Sequence, residues 1–291
     1  MKKQVLLLAL LFSISWQLQA GGPWPQAAGN GFFKLSEWWI IFDQHFTDAG
    51  KTDPNVTTGI FNTSFYGEYG FTDRLTGIVN APLFSRNYMN NLVSSTTGDV
   101  IQPGEGLNSI GDIDISVKYG LTAPGNRFPL AVTLTLGLPT GQTAGGSQGN
   151  LQTGDGEFNQ MIQFDGGTSF RLGRSTNSYV SGYVGFNHRT EGFSEEFRYG
   201  LEWGIELMPS KFWLIGRLNT VESLKNGDTA ESTNSTSIFA NNTEFSSVAL
   251  EANYYLSNRW GVSASVAGAF RGEIIAAAPS YSFGIFYDLR K

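Results

Sequence analysis

The stretch Ser109-Ile-Gly-Asp-Ile-Asp-Ile-Ser-Val-Lys-Tyr-Gly-Leu-Thr122 puts Ile113, Ile115, Val117, Tyr119 and Leu121 on one face. Asp112, Asp114, Ser116, Lys118 and Gly120 occupy the other. Strict alternation over this length is a β-strand between two unlike environments. A water-soluble sheet hides its apolar face in a core. A membrane barrel turns that face to lipid and keeps the polar one for a lumen. The rest of the chain decides between them.

The N-terminus, MKKQVLLLALLFSISWQLQA, has a basic start at Lys2 and Lys3 and an apolar run from Val5 to Trp16. It closes on the small residue Ala20. This is the pattern of a secretory signal peptide over residues 1–20, too short to span a bilayer. The chain has no cysteine, so no disulfide supports it after export. The formal net charge is −6, and removing residues 1–20 takes away two lysines and no acid. An acidic mature chain is, in its net charge, a poor match for nucleic acid or anionic lipid. Charged residues make up 15%, against the roughly 25% usual for soluble domains. No later run is long and apolar enough for a membrane helix, which leaves a barrel as the membrane form.

About twelve candidate strands follow, separated by turn-forming clusters. They span approximately 34–47, 57–72, 75–88, 109–122, 129–140, 157–172, 178–190, 196–208, 211–224, 243–256, 259–271 and 279–291. Their connections alternate in length. Asp73-Arg74, Pro209-Ser210 and Ser257-Asn258 are short, Asp48–Val56, Met89–Asn108, Gly141–Gly156 and Lys225–Asn242 are long, and Glu191–Glu195 and Gly272–Ala278 are intermediate. A Greek-key sandwich gives no reason for that alternation. An up-and-down transmembrane antiparallel β-barrel has short turns on the periplasmic side and long loops outside. Aromatics recur beside the short turns, at Phe71, Tyr119, Phe170, Phe212, Tyr254, Trp260 and Tyr287, with the parity of the lipid face. Trp213 and Tyr255 have the opposite parity. The expected organisation is an N-terminal periplasmic segment over 21–33 and a barrel over 34–291, in the outer membrane of a Gram-negative cell.

The last strand, Ser282-Phe-Gly-Ile-Phe-Tyr-Asp-Leu289, resembles the C-terminal assembly signal of outer-membrane barrels, with Arg290 and Lys291 added after it. That resemblance implies the barrel assembly machinery as a partner, alongside outer-membrane lipid. The segments SIGDIDISVKYGL, Leu136-Gly-Leu-Pro-Thr-Gly141 and Thr153-Gly-Asp-Gly-Glu-Phe158 resemble, in order and spacing, a further family. It is the bacterial outer-membrane family named for a meta-pathway of phenol degradation. The likeness runs from about Gly31 to the C-terminus. Where the family often has a second glycine before Gly111, this chain has Ser109-Ile110. The resemblance implies a transport-like barrel for small aromatic or hydrophobic compounds and carries no functional residues across.

The charged residues with lumen parity are Glu68, Arg86, Asp112, Asp114, Lys118, Asp165, Arg171, Arg198, Glu202, Glu206, Arg217, Glu251, Arg271 and Asp288. They are expected to line the lumen, either as a path for a polar solute or as the salt-bridged ladder that any narrow polar barrel needs. His45 and His188 fall near the outer ends of their strands, where a barrel hydrolase or acyltransferase would place a base. Solvated rim histidines are the plainer reading. Asp48, Asp53, Asn55, Asn226 and Asp228 lack calcium-loop spacing, and the glycine-rich segments lack the lysine of a phosphate loop. No cofactor, metal or catalytic residue is expected. The leading expectation is a channel or uptake protein for small solutes. An outer-membrane enzyme and a closed structural or adhesion barrel are the alternatives.

One segment remains. Gly21–Phe33, GGPWPQAAGNGFF, is too rich in proline and glycine to pair regularly, yet Trp24, Phe32 and Phe33 are costly to leave in water. It is expected to tuck into the periplasmic mouth with Trp24 against lumen side chains.

Overall fold

The computed structural model describes residues 22–173, 175–228 and 239–290. The expected signal peptide, residues 1–20, lies outside the described residues. The wall of the barrel begins with β1 (Gly31–Phe46), β2 (Thr52–Gly70) and β3 (Leu75–Met89). The loop that follows contains a small hairpin, β4 (Leu92–Val93) with β5 (Val100–Gln102), and then β6 (Glu105–Ser109). The wall continues through β7 (Ile113–Gly120), β8 (Leu130–Leu138), β9 (Asn159–Leu172), β10 (Thr176–His188) and β11 (Glu196–Met208). It ends with β12 (Phe212–Ser223), β13 (Glu244–Tyr255), β14 (Trp260–Glu273), the short β15 (Ile275–Ala276) and β16 (Ser280–Leu289).

Each long strand runs antiparallel to its neighbours, and β1 pairs both β2 and β16. The ring is therefore closed, a 12-strand up-and-down barrel with no free edge. No helix occurs among the described residues. The alternation of the opening stretch has a direct physical outcome. Ile115 is 48% exposed on the outside of the wall, while Ser116 is 8% and Lys118 3% exposed on the inside. Leu134, Leu136, Leu201, Trp203, Val248 and Leu250 continue the same outward apolar surface. A band this continuous is not compatible with water and is solvated by lipid.

The inside is divided. On the long-loop side, Ile40, Phe42, Ile60 and Ala276 form a buried apolar cluster, with Trp38 and Ala278 against it. On the short-turn side, Tyr179, Trp213, Tyr255 and Phe286 form a second cluster, with Trp24 and Phe32 against it. Polar residues, including Glu68, Thr76 and Asn87, are buried elsewhere in the interior.

Several boundaries differ from the sequence reading. β1 starts at Gly31, three residues early, because Gly31 already pairs with both Leu289 and Tyr69. β7 starts only at Ile113, because β3 changes partner. It pairs with β7 over Leu75–Asn80 and with β6 over Ser85–Met89; between them the Gly111 N–H donates to the Pro82 carbonyl. The expected loop Met89–Asn108 thus contributes β6 to the wall.

Candidate functional site

Two bulges decide which charges face inward. Ser64 pairs with Pro82 but Thr63 pairs with Phe84, so Leu83 is an extra residue in β3. One added residue exchanges the two faces beyond it. Ser85 and Asn87 are then buried, and Arg86, expected in the lumen, lies exposed on the outer wall. In β14, Ser247 pairs with Ala269 and Ser246 with Arg271, which leaves Phe270 as the extra residue. Arg271 accordingly also stands on the outer wall, bonded to Glu222 and Glu244. These two placements correct the parity reading.

Of the other expected lumen charges, Glu68, Lys118, Asp165, Glu206 and Asp288 are buried within the barrel. Asp112 sits just ahead of β7 and accepts from the Gly141 and Asp155 backbone N–H groups. Arg171 is exposed at the periplasmic end of β9. Asp114 and Arg198 are half-buried on inward register positions.

Glu202, Arg217 and Glu251 meet in one cross-barrel relay. The Arg217 guanidinium donates through Nε to Glu202 Oε2 at 2.5 Å and through Nη1 to Glu251 Oε2 at 2.6 Å. Lys34 Nζ reaches Glu251 Oε1 at 3.3 Å, and the Tyr179 hydroxyl donates to Glu202 Oε1 at 2.6 Å. Two cations and two carboxylates balance, so the relay carries no net charge of its own. β1, β10, β11, β12 and β13 each contribute one member through the inward side of the pleat.

Below the relay is a cavity of about 990 Å³ that reaches the periplasmic turn at Thr122–Asn126. Its wall includes Trp24, Phe32, Tyr179, Trp213, Tyr255 and Phe286. Trp213 and Tyr255, the two aromatics of opposite parity, are therefore cavity residues. Trp213 is 4% exposed, and its Nε1 has no hydrogen-bond partner. A buried indole N–H without an acceptor costs about 1–3 kcal/mol.

Residues 22–30 close the cavity at its mouth. Trp24 meets Tyr179 edge-on at 5.7 Å between centroids, and Pro23 is fully buried. The segment is tied by Gln26 N–H to Thr76 Oγ1 at 2.8 Å, by Gln26 Nε2 to Glu68 Oε2 at 3.0 Å, and by Ala28 N–H to Asp73 Oδ1 at 2.9 Å.

The long-loop end is narrowed by the connection between β8 and β9. Its residues Leu151, Gln152 and Thr153 are buried, and the Gln152 carbonyl accepts from Asn87 Nδ2 inside the barrel. An arginine-centred cluster fixes this loop. Arg189 donates to Glu157 Oε1 at 2.5 Å, Glu196 Oε1 at 2.9 Å and Asp155 Oδ2 at 3.1 Å, with its guanidinium 4.4 Å over the Phe193 ring. Burial, reinforced by the Glu157 charge and partly opposed by Arg189, raises the Asp155 carboxyl to about 7. Burial raises Glu157 as well. Nothing local in the sequence announces this cluster, because Asp155 and Glu157 lie more than thirty positions from Arg189.

His188 is exposed at the rim, its Nδ1 2.9 Å from Glu195 Oε1. His45 Nδ1 is buried without a partner. Among the described residues no hydroxyl is hydrogen-bonded to either ring, and no cluster of His, Asp and Glu is placed to hold a metal.

No family model matches the sequence, and no curated protein does. Solved structures do. An outer-membrane channel from Pseudomonas putida F1 superposes with a TM-score of 0.54 over 94% of this chain and 99% of its own, at 13% identity. The fold is that of an outer-membrane barrel. With its lipid-facing band, the chain belongs in that membrane. A KdgM porin in complex with disordered oligogalacturonate covers 89% of the chain and 99% of its own length, with a TM-score of 0.48 and 8% identity. At 13% identity the likeness to the channel is a statement of fold alone.

Proposed function

We propose that this barrel is an outer-membrane channel for small solutes with an aromatic or hydrophobic part. The observation that carries the reading is the cavity of about 990 Å³, walled by aromatic rings and topped by the neutral Glu202–Arg217–Glu251–Lys34 relay. A concave site that joins aromatic walls to convergent polar groups can hold a small molecule that has both parts. Aromatic walls, Trp213 and Tyr255 among them, suit a planar apolar body. Glu202, Glu251 and Asp288 on the same walls are each paired with Lys34, Arg217 or Arg290, which leaves the lining suited to a solute without net charge. The resemblance to the family named for phenol degradation leads to the same solute class. Lining of the path by the inward charges, export through residues 1–20 and insertion through the C-terminal strand belong to this reading.

Planar-bilayer recording of the refolded protein tests it. Single-channel steps, with noise or block induced by a neutral aromatic alcohol and weakened in Trp213→Ala, are expected. Correctly folded protein that neither conducts nor passes the solute into liposomes would overturn the channel reading. The His188–Glu195 pair gives an enzyme its one structural foothold, and hydrolysis abolished in His188→Ala would favour that alternative.

A further inference from the structure

Arg86 stands where the membrane meets the outer surface. It pairs with Phe61, and Phe61 pairs with Trp39. Phe61 stacks on Tyr88 at 6.1 Å between centroids, and Trp39 stacks on Tyr281 at 5.9 Å. This outward aromatic row lies at the long-loop end of the wall and marks the outer interface of the bilayer. A guanidinium on the lipid side is tolerated at that level, and it seeks the headgroups.

Its partners leave it largely free. Arg86 Nη1 donates to Asn108 Oδ1 at 3.0 Å, and the guanidinium lies 5.7 Å from the Tyr88 ring. Among the described residues no carboxylate pairs with it. Glu105, the nearest acid along β6, has the opposite parity to Asn108 and accepts from the Ser147 backbone N–H. Arg271, the other arginine turned out by a bulge, is already neutralised by Glu222 and Glu244. Around Arg86 there is also space. It lines a notch of about 610 Å³ with Tyr88, Asn90, Asn91, Gly104, Glu105 and Gly106, the Glu105 carboxylate being engaged by the Ser147 backbone N–H. The missing side chain at Gly106 keeps the guanidinium flank open, since a Cβ there would lie 3.5 Å from Nη2.

We propose that this notch binds the phosphate of an outer-leaflet glycolipid. A planar guanidinium with several unused N–H donors matches a phosphate bidentately. The Asn90 and Asn91 amides add neutral donors, and the Tyr88 ring offers an apolar body at the sugar–acyl boundary. The source is lipid rather than dissolved phosphate, because the notch is on the outward wall level with the aromatic row. This site is independent of whether the barrel conducts.

The test uses the refolded barrel in detergent, with native mass spectrometry of retained lipid. The probes are lipid A carrying its phosphates, dephosphorylated lipid A and inorganic phosphate. The folded protein is expected to retain the phosphorylated form about tenfold more strongly, the scale of one charge-assisted hydrogen-bond pair. Arg86→Gln should lose that preference and Arg86→Lys keep part of it, while Arg127→Gln in a periplasmic turn behaves as the parent. Gly106→Leu, which fills the notch and keeps the arginine, should also lose the preference. Equal retention of both lipids by the parent, or an unchanged preference in Arg86→Gln and Gly106→Leu, would overturn the site. Full competition by millimolar inorganic phosphate would overturn the lipid source.

Discussion

Trp24 packs edge-on against Tyr179, with ring centroids 5.7 Å apart and planes at 77°, and so fastens the N-terminal segment to the far wall of the barrel. The same Tyr179 hydroxyl donates to Glu202, so the mouth closure and the charged relay share one side chain.

Removing residues 22–30 should therefore raise single-channel conductance without preventing assembly, because the wall itself begins at Gly31. Trp24→Ala should have a smaller effect in the same direction. Bilayer recordings and heat-modifiable gel mobility check the two halves of this expectation. Unchanged conductance after deletion would show that the segment does not restrict the path.

Charge placed on the two faces of β7 should act in opposite ways. Ile115→Arg puts a guanidinium on the lipid face and should cost roughly 2–4 kcal/mol near the midplane. Ser116, which hydrogen-bonds to Thr135 inside, should accept arginine with assembly intact and altered ion selectivity. Yields of folded barrel in detergent, compared side by side, give the answer; equal yields would contradict the assigned faces.

Breaking the relay should change selectivity as well as stability. Arg217→Met leaves Glu202 and Glu251 without their shared guanidinium, with only Lys34 to offset two carboxylates. Loss of one partner of a buried pair costs about 3–5 kcal/mol, and water in the cavity lowers that figure here. Reversal potentials under a salt gradient should shift toward cation preference.

The β8–β9 loop should respond to pH. Asp155 holds its proton up to about 7 in the folded loop, well above a free carboxyl. The packed loop binds that extra proton through the interval below about 7, so raising pH through this window weakens it. Above about 7 Asp155 is ionised beside Glu157 and Asp112, and no further loss follows from this group. Hydrogen exchange at residues 151–155, corrected for intrinsic rate, should accelerate from pH 5 to pH 7.5. Asp155→Asn should flatten that dependence.

The wall was readable in the sequence because alternation and turn length report directly on a pleated strand facing lipid. The bulges were not, since Leu83 and Phe270 are as apolar as the residues they displace. Pro82 was the one available sign, as proline within a strand often accompanies a bulge. The aromatic cavity was half legible: Trp213 and Tyr255 broke the outward parity because they serve the interior. The Arg189 cluster left no local trace. It joins Asp155 and Glu157 to residues more than thirty positions away, and a loop folded inward has no periodicity to read.

The polar ties of residues 22–30 run to Glu68 in β2, Thr76 in β3 and Asp73 in the turn between them. All three belong to the β2–β3 hairpin, whereas the ring is sealed only when β16 meets β1. The stopper can thus be seated before the last strand is laid down, riding in with the strand that waits for it. A barrel built in that order has its periplasmic mouth narrowed from the moment the seam closes. The envelope need never contain a nascent copy with an unrestricted bore.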